Sequence, residues 1–88
     1  MIEDKIATNY DRYKRMLHTY TVSTHRVENM DDYDVVVECI GYGYAHKKYR
    51  VLKNAPSLNN EDLAIICDNG CLPFGYRCEG GVICVYID

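Results

Sequence analysis

The chain has 88 residues, a formal net charge of −3 and an apolar fraction of 48%. This length suits one domain with a single core, and the balance of apolar and charged residues is typical of a folded protein. No stretch approaches the ~20 apolar residues of a membrane span, and the N-terminus lacks the apolar core of a signal peptide. We therefore expect a single domain over residues 1–88, in the cytoplasm and not in a membrane.

The N-terminal part of the chain has the periodicity of an amphipathic helix. Its apolar residues recur at spacings of three and four: Ile2, Ile6, Tyr10, Tyr13, Leu17 and Tyr20. We predict a helix over about residues 2–15. From residue 17 the sequence LHTYTVSTHRV contains several poor helix formers, so we predict a strand that begins near His18.

The segment 33–53, YDVVVECIGYGYAHKKYRVLK, is the longest β-prone part of the chain. The polar residues 28–32 are turn-prone and would connect the first strand to it. A chain reversal at residues 45–48 places Tyr44 opposite Tyr49 and Tyr42 opposite Val51. A reversal at residues 41–43 is the alternative. We favour the first arrangement, in which Gly41 and Gly43 form a bulge or bend inside the strand.

The stretch that follows residue 58 predicts a second helix. Asn60 is a capping candidate with acidic residues after it, and Gly70 would end the helix in the left-handed conformation. A strand over residues 63–67 with a hairpin turn at Asn69 and Gly70 is the alternative. We favour the helix because Pro73 would remove a backbone donor from a central strand.

The C-terminal stretch predicts a hairpin with a two-residue turn at Gly80 and Gly81. This turn places six residues on one face: Phe74, Tyr76, Cys78, Ile83, Val85 and Ile87. It also places Tyr86 across from Gly75. The complete order α-β-β-β-α-β-β predicts an α+β fold, with an antiparallel sheet made of a three-stranded meander and a C-terminal hairpin, and two helices packed on it.

The five cysteines do not have the spacing of a zinc site. Only Cys67 and Cys71 are separated like a metal-binding knuckle, and Cys78 and Cys84 fall on opposite faces of the predicted hairpin. We interpret the cysteines as structural thiols, with Cys71 the most exposed. The sequence also lacks a nucleophile elbow and a phosphate-binding glycine loop. We therefore expect no enzyme, no catalytic residues, no metal and no cofactor.

A basic run could contact nucleic acid through Lys47, Lys48, Arg50 and Lys53, with tyrosines nearby that can stack on bases. The net charge of the whole chain has the wrong sign for this role. A small nucleic-acid-binding module is therefore our second hypothesis, and direct binding to DNA or RNA is not the expectation.

Binding to another protein is our first hypothesis. The nine tyrosines are too many for a core of this size, and tyrosine is a frequent interface anchor. The predicted contact residues are an acidic group and an aromatic group: Asp31, Asp32, Asp34, Glu38, Tyr42, Tyr44 and Tyr49. In general character the chain is like the small inhibitors that phages and mobile elements use against a host defence factor or nucleic-acid enzyme. A second copy of the chain is also considered as a partner.

Overall fold

The computed structural model describes residues 2–70 and 73–87, with the backbone alone for residues 2–9. It shows a compact α+β domain with two helices and a five-stranded mixed sheet, so the predicted fold class is confirmed. The elements are α1 (Ile2–Thr19), β1 (Val22–Ser23), a 3-10 turn (Met30–Asp32), β2 (Val35–Gly43), β3 (His46–Lys53), α2 (Asn60–Cys67), β4 (Gly75–Glu79) and β5 (Val82–Tyr86).

The strand order in the sheet is β1-β2-β3-β5-β4. The predicted meander is wrong at its first connection, because β1 runs parallel to β2, whereas the other pairs are antiparallel. Hydrogen bonds at the start of the two strands hold this arrangement. The Asp34 and Val35 amides donate to the Thr21 carbonyl at 2.8 and 3.2 Å, and the Asp34 carboxylate accepts from the Thr21 amide at 2.9 Å. Residues 24–34 therefore return the chain to the same end of the sheet.

Helix α1 is one turn longer than predicted, and the expected strand near His18 is wrong. Met16 is only 6% exposed and belongs to the core, so tertiary packing holds the last turn as a helix despite its poor helix formers. The Thr19 hydroxyl also donates to the Arg15 carbonyl at 2.9 Å. Leu17, which was expected on the buried stripe, is 43% exposed. The side chains of Ile2 and Ile6 lie outside the described part of the chain.

Helix α2 confirms the helix that was favoured over a strand for residues 63–67. Its cap is Asn59, one residue earlier than expected, which forms a reciprocal capping box with Asp62. All six residues from Asp62 to Cys67 are buried, so α2 is covered on every side. The strands cover it on one side and α1 on another, through ion pairs from Arg12 to Glu61 at 2.8 Å and to Asp62. The two helices are therefore stacked, and α1 contacts α2 more than it contacts any single strand.

The core lies between α2 and one face of the sheet. Its fully buried members include Val35, Val37, Ala64, Ile65, Ile66, Ile83 and Val85. The C-terminal hairpin has the predicted register, since Cys78 pairs with Ile83 and Tyr76 with Val85. Gly75 lies opposite Tyr86, and a Cβ atom built on Gly75 would be 3.8 Å from the tyrosine ring.

The β2–β3 hairpin differs from the prediction in its turn and its register. The turn is at Tyr44 and Ala45, and Cys39 pairs with Tyr49. Ile40 is an extra residue in β2, a β-bulge that reverses which side chains face the core. The predicted pairs of Tyr44 with Tyr49 and of Tyr42 with Val51 are therefore wrong. Tyr49 is 8% exposed and packs in the core.

Candidate functional site

Large apolar side chains are exposed together where the β2–β3 turn, the start of β4 and the end of β5 meet. Tyr42, Tyr44 and Phe74 are 84%, 93% and 86% exposed. Three partly exposed residues accompany them: Tyr76, Tyr86 and Ile87. We refer to these six residues as the aromatic end of the sheet.

The sheet register brings the aromatic end together. Gly43, His46, Tyr86 and Gly75 lie side by side across four neighbouring strands. Because neighbouring strands are about 4.8 Å apart, this row spans only about 14 Å. The Ile87 amide donates to the Ala45 carbonyl at 2.9 Å and so attaches the end of the chain to the hairpin turn.

The short length of α2 explains why no helix covers these side chains. A helix of eight residues is about 12 Å long, whereas a nine-residue strand such as β2 extends for about 30 Å. The helix therefore covers only part of the sheet. Phe74 was expected on the apolar face of the hairpin, but it lies beyond the covered part. The element lengths could have indicated this exposure, but sequence reasoning did not identify Phe74 and Ile87 as contact residues.

Lys47 lies next to the aromatic end, opposite Tyr42 on β2 and Val85 on β5. Asp68, just after α2, is half-buried, and its burial raises the pKa of its carboxyl group while Lys47 lowers it. Lys47 is directly opposite Val85, which belongs to the core under α2, and the two side chains therefore face the same side of the sheet. Lys47 is therefore on the helix side of the sheet.

Of the four acidic residues predicted as contacts, three precede β2 and Glu38 is in the middle of the strand. Asp31 and Asp32 are exposed in the 3-10 turn, while the Asp34 carboxylate accepts from the Thr21 amide. Glu38 forms an ion pair with Arg26 at 3.6 Å. Eight residues of strand separate Asp34 from Tyr42, which corresponds to about 26 Å. The structure therefore does not join the acidic and aromatic groups into one patch, and Tyr49 is in neither.

The structure also divides the basic run. Lys48 and Arg50 are exposed on the face of the sheet opposite α2, the open face. Lys47 is on the helix side, and the Lys53 ammonium donates to the Met30 carbonyl at 3.0 Å. On the open face, a shallow groove of about 270 Å³ is lined by Lys48, Arg77, Glu79, Val82, Cys84 and Tyr86. Sequence reasoning missed Arg77, which comes from another strand.

The cysteines in the described residues do not form a metal site. Within residues 10–70 and 73–87, no three histidine, cysteine or acidic side chains are grouped as metal ligands. Cys67 is buried, and its burial raises the pKa of its thiol to about 12. Cys78 and Cys84 occupy opposite faces of the hairpin, as predicted. Cys71 lies outside the described residues.

No family model, no curated protein and no solved structure matches this chain. No helix in the described part of the chain is both long and apolar enough to cross a membrane.

Proposed function

We propose that this chain is a non-enzymatic protein-binding module that inhibits one partner protein, in the manner of small phage or mobile-element inhibitors. The observation that carries the proposal is the exposure of Tyr42, Tyr44 and Phe74 at one end of the sheet. Each large aromatic side chain can bury about 150–250 Å² in a contact, and aromatic residues dominate interface energetics. The four neighbouring strands at this end of the sheet span only about 14 Å, so a single partner surface can contact all three residues.

The backbone around these side chains is well connected, which favours binding with little loss of conformational entropy. Tyr42 is in β2, and Tyr44 is in a turn that the Ile87 amide holds at Ala45. The His46 ring packs against Gly43, where an added Cβ would be 2.6 Å from the ring. Tyr42 and Tyr44 are therefore presented by a hairpin with a two-residue turn rather than by a long loop, and Phe74 immediately precedes β4.

Asp31 and Asp32 supply a second contact in this proposal. Because Asp31 and Asp32 are in the turn before β2 and Tyr42 is near the end of that strand, a partner must be extended to reach both groups. A basic groove of a nucleic-acid enzyme has the charge that would pair with these carboxylates. The aromatic end would anchor the partner, and the acidic turn would orient it.

Affinity capture tests this proposal. The immobilised wild-type protein and the variant Tyr42→Ala/Tyr44→Ala/Phe74→Ala are exposed to the same host extract, and bound proteins are identified by mass spectrometry. The control variant Leu17→Ala removes an exposed apolar side chain of α1 that belongs to neither the aromatic end nor the acidic turn. We expect one host protein to be retained by the wild type and the control and lost by the triple variant. Equal capture by all three would contradict the proposed surface.

The alternative is a nucleic-acid-binding module, and one observation favours it. The open face brings Lys48 and Arg77 from different strands beside Tyr86, which could stack on a base. Glu79 lines the same groove and would repel a phosphate. Fluorescence anisotropy with single-stranded DNA and RNA at physiological salt separates the two functions. Submicromolar binding that Lys48→Ala/Arg77→Ala removes, and that Lys14→Ala/Arg15→Ala leaves intact, would replace the first proposal with the second.

A further inference from the structure

The outer edge of β4 is available for pairing with another strand. Within the described residues, β4 (Gly75–Glu79) is the last strand of the sheet and pairs only with β5. It contains no proline, so every residue keeps a backbone donor. An edge of this kind is a template for adding a strand.

The hydrogen bonds of the sheet show which groups of β4 face outward. The Val51 amide donates to the Gly81 carbonyl and the Ile87 amide to the Ala45 carbonyl, so Gly81 and Ile87 face β3. Residues alternate along an antiparallel strand, which leaves Val82, Cys84 and Tyr86 facing β4. Their partners Glu79, Arg77 and Gly75 use their backbone groups toward β5. The backbone groups of Tyr76 and Cys78 therefore face outward.

Two copies of β4 can pair antiparallel about a two-fold axis in a small number of registers. A pair centred on Cys78 bonds Cys78 to Cys78 of the second copy through their outward-facing groups. It also places Arg77 opposite Glu79 of the second copy, twice by symmetry. A pair centred on Arg77 places two arginines directly opposite each other, and one centred on Tyr76 places Glu79 opposite Pro73 without a charge partner.

We propose that two copies of this chain associate through β4, antiparallel and centred on Cys78, so that two five-stranded sheets become one of ten strands. Charge complementarity selects this register. Within one copy, Arg77 and Glu79 are mostly exposed on the same face of β4, and the Arg77 guanidinium is 3.6 Å from the Glu79 carboxylate. In the pair, each also faces the opposite charge across the two-fold axis. The interface is short, so the dimer is a weak one. This inference does not depend on the proposed function.

Charge exchange tests the register. Sedimentation equilibrium is measured up to about 1 mM protein, the range of weak association. The wild type should form dimers, and Arg77→Glu or Glu79→Arg should each weaken the association at least about tenfold, because each creates two like-charge pairs. The double variant Arg77→Glu/Glu79→Arg restores both opposite-charge pairs and should return the association to within about threefold of the wild type. A monomeric wild type, or a double variant as weak as the single ones, would overturn the proposal.

Thiol cross-linking provides a second readout that does not depend on charge. In the proposed register the two Cys78 Cα atoms are about 5.5 Å apart, within the range that a disulfide spans. Diamide takes up the two thiol hydrogens as the disulfide forms. We expect the Cys78 peptide to be found joined to itself by mass spectrometry, and Cys78→Ser to abolish this dimer. Cross-linking mainly through Cys39 of β2 would place the contact at the opposite edge and contradict the proposal.

Discussion

Tyr49 lies opposite Cys39 in the β2–β3 ladder, which places the Tyr49 ring in the core. The bulge at Ile40 follows immediately, and Tyr42 pairs with Lys47 on the helix side of the sheet. Tyr49 and Tyr42 are therefore on the same side, but Tyr49 is covered, whereas Tyr42 lies beyond the part of the sheet that α2 covers. Position along the strand, rather than the choice of face, separates a core tyrosine from a contact tyrosine.

The cap of α2 gives the first prediction. Asn59 accepts from the Asp62 amide at 2.8 Å, and the Asp62 carboxylate accepts from the Asn59 amide at 3.1 Å. We expect Asn59→Ala to lower the free energy of unfolding by about 1 kcal/mol. Asn60→Ala is the matched control and should change it by less than about 0.3 kcal/mol, because alanine is well tolerated inside a helix. Urea unfolding measures both, and a larger loss for Asn60→Ala would refute the assigned cap.

Gly70 is predicted to be far more sensitive than Gly80, although both have positive φ angles of 91° and 58°. A Cβ on Gly70 would lie 2.6 Å from Cδ2 of Tyr13, whereas a Cβ on Gly80 would meet no atom within 4 Å. We expect Gly80→Ala to cost about 1 kcal/mol from its backbone conformation alone. Gly70→Ala should cost about 3 kcal/mol, since the Tyr13 ring must also move. If the Gly70→Ala and Gly80→Ala variants unfolded at the same denaturant concentration, α1 would not pack on Gly70.

Ala45 has a φ angle of 67°, which is unfavourable for any residue with a Cβ. Replacing it by glycine removes this strain at the cost of a more flexible unfolded chain, so Ala45→Gly should raise the stability by about 0.5 kcal/mol. Ala45→Val should lower the stability by about 1 kcal/mol, because a β-branched side chain is more strained than alanine in this conformation. The Tm should therefore rise in Ala45→Gly and fall in Ala45→Val, as measured by thermal unfolding. A stabilising effect of valine would contradict the turn geometry.

Cys67 should make the stability depend on pH in the alkaline range. Its pKa is about 12 in the folded chain, against an ordinary value of 9.0. Above pH 9.0 the unfolded chain loses the thiol proton and the folded chain keeps it. The contribution of this thiol to the free energy of unfolding is therefore fully present below this pH. It is lost as the pH rises toward 12, by up to about 1.4 kcal/mol per pH unit. Burial also raises the pKa of Tyr49, which acts in the same direction at higher pH.

The variant Cys67→Ala isolates this contribution. It should be less stable at neutral pH by about 1 kcal/mol, because it loses a buried sulfur atom. Its stability should fall less steeply between pH 9 and pH 10.5 than that of the wild type, about the range in which the unfolded thiol ionises. Parallel pH profiles in urea unfolding would mean that the Cys67 thiol is not protected by folding.

The parts of the fold that follow local rules were predictable from sequence. Glycine at both Gly80 and Gly81 allows the positive φ angles of the C-terminal turn, and the alternating pattern around it fixes the register. Gly70 likewise indicated the end of α2. These features need only a few neighbouring residues, so tertiary packing did not alter them.

The β2–β3 register could not be predicted in the same way. The turn uses Ala45 in a conformation that alanine rarely adopts, and the bulge at Ile40 has no sequence signal. Each of these two errors shifts the pairing of β2 with β3 along the strands. Together they explain why Tyr49, which was expected on the surface, lies in the core. The last turn of α1 was also missed, because the burial of Met16 outweighs the poor helix propensity around it.

The affinity of the captured partner for wild-type and variant protein tests the proposed function most directly. Isothermal titration with Tyr42→Ala/Tyr44→Ala/Phe74→Ala should show a Kd at least about 100-fold higher than the wild type, as expected for the loss of central aromatic anchors. Leu17→Ala should bind within about threefold of the wild type, since the effect of surface changes outside an interface is small. If the triple variant, shown to be folded, bound as tightly as the wild type, the aromatic end would not be the contact surface.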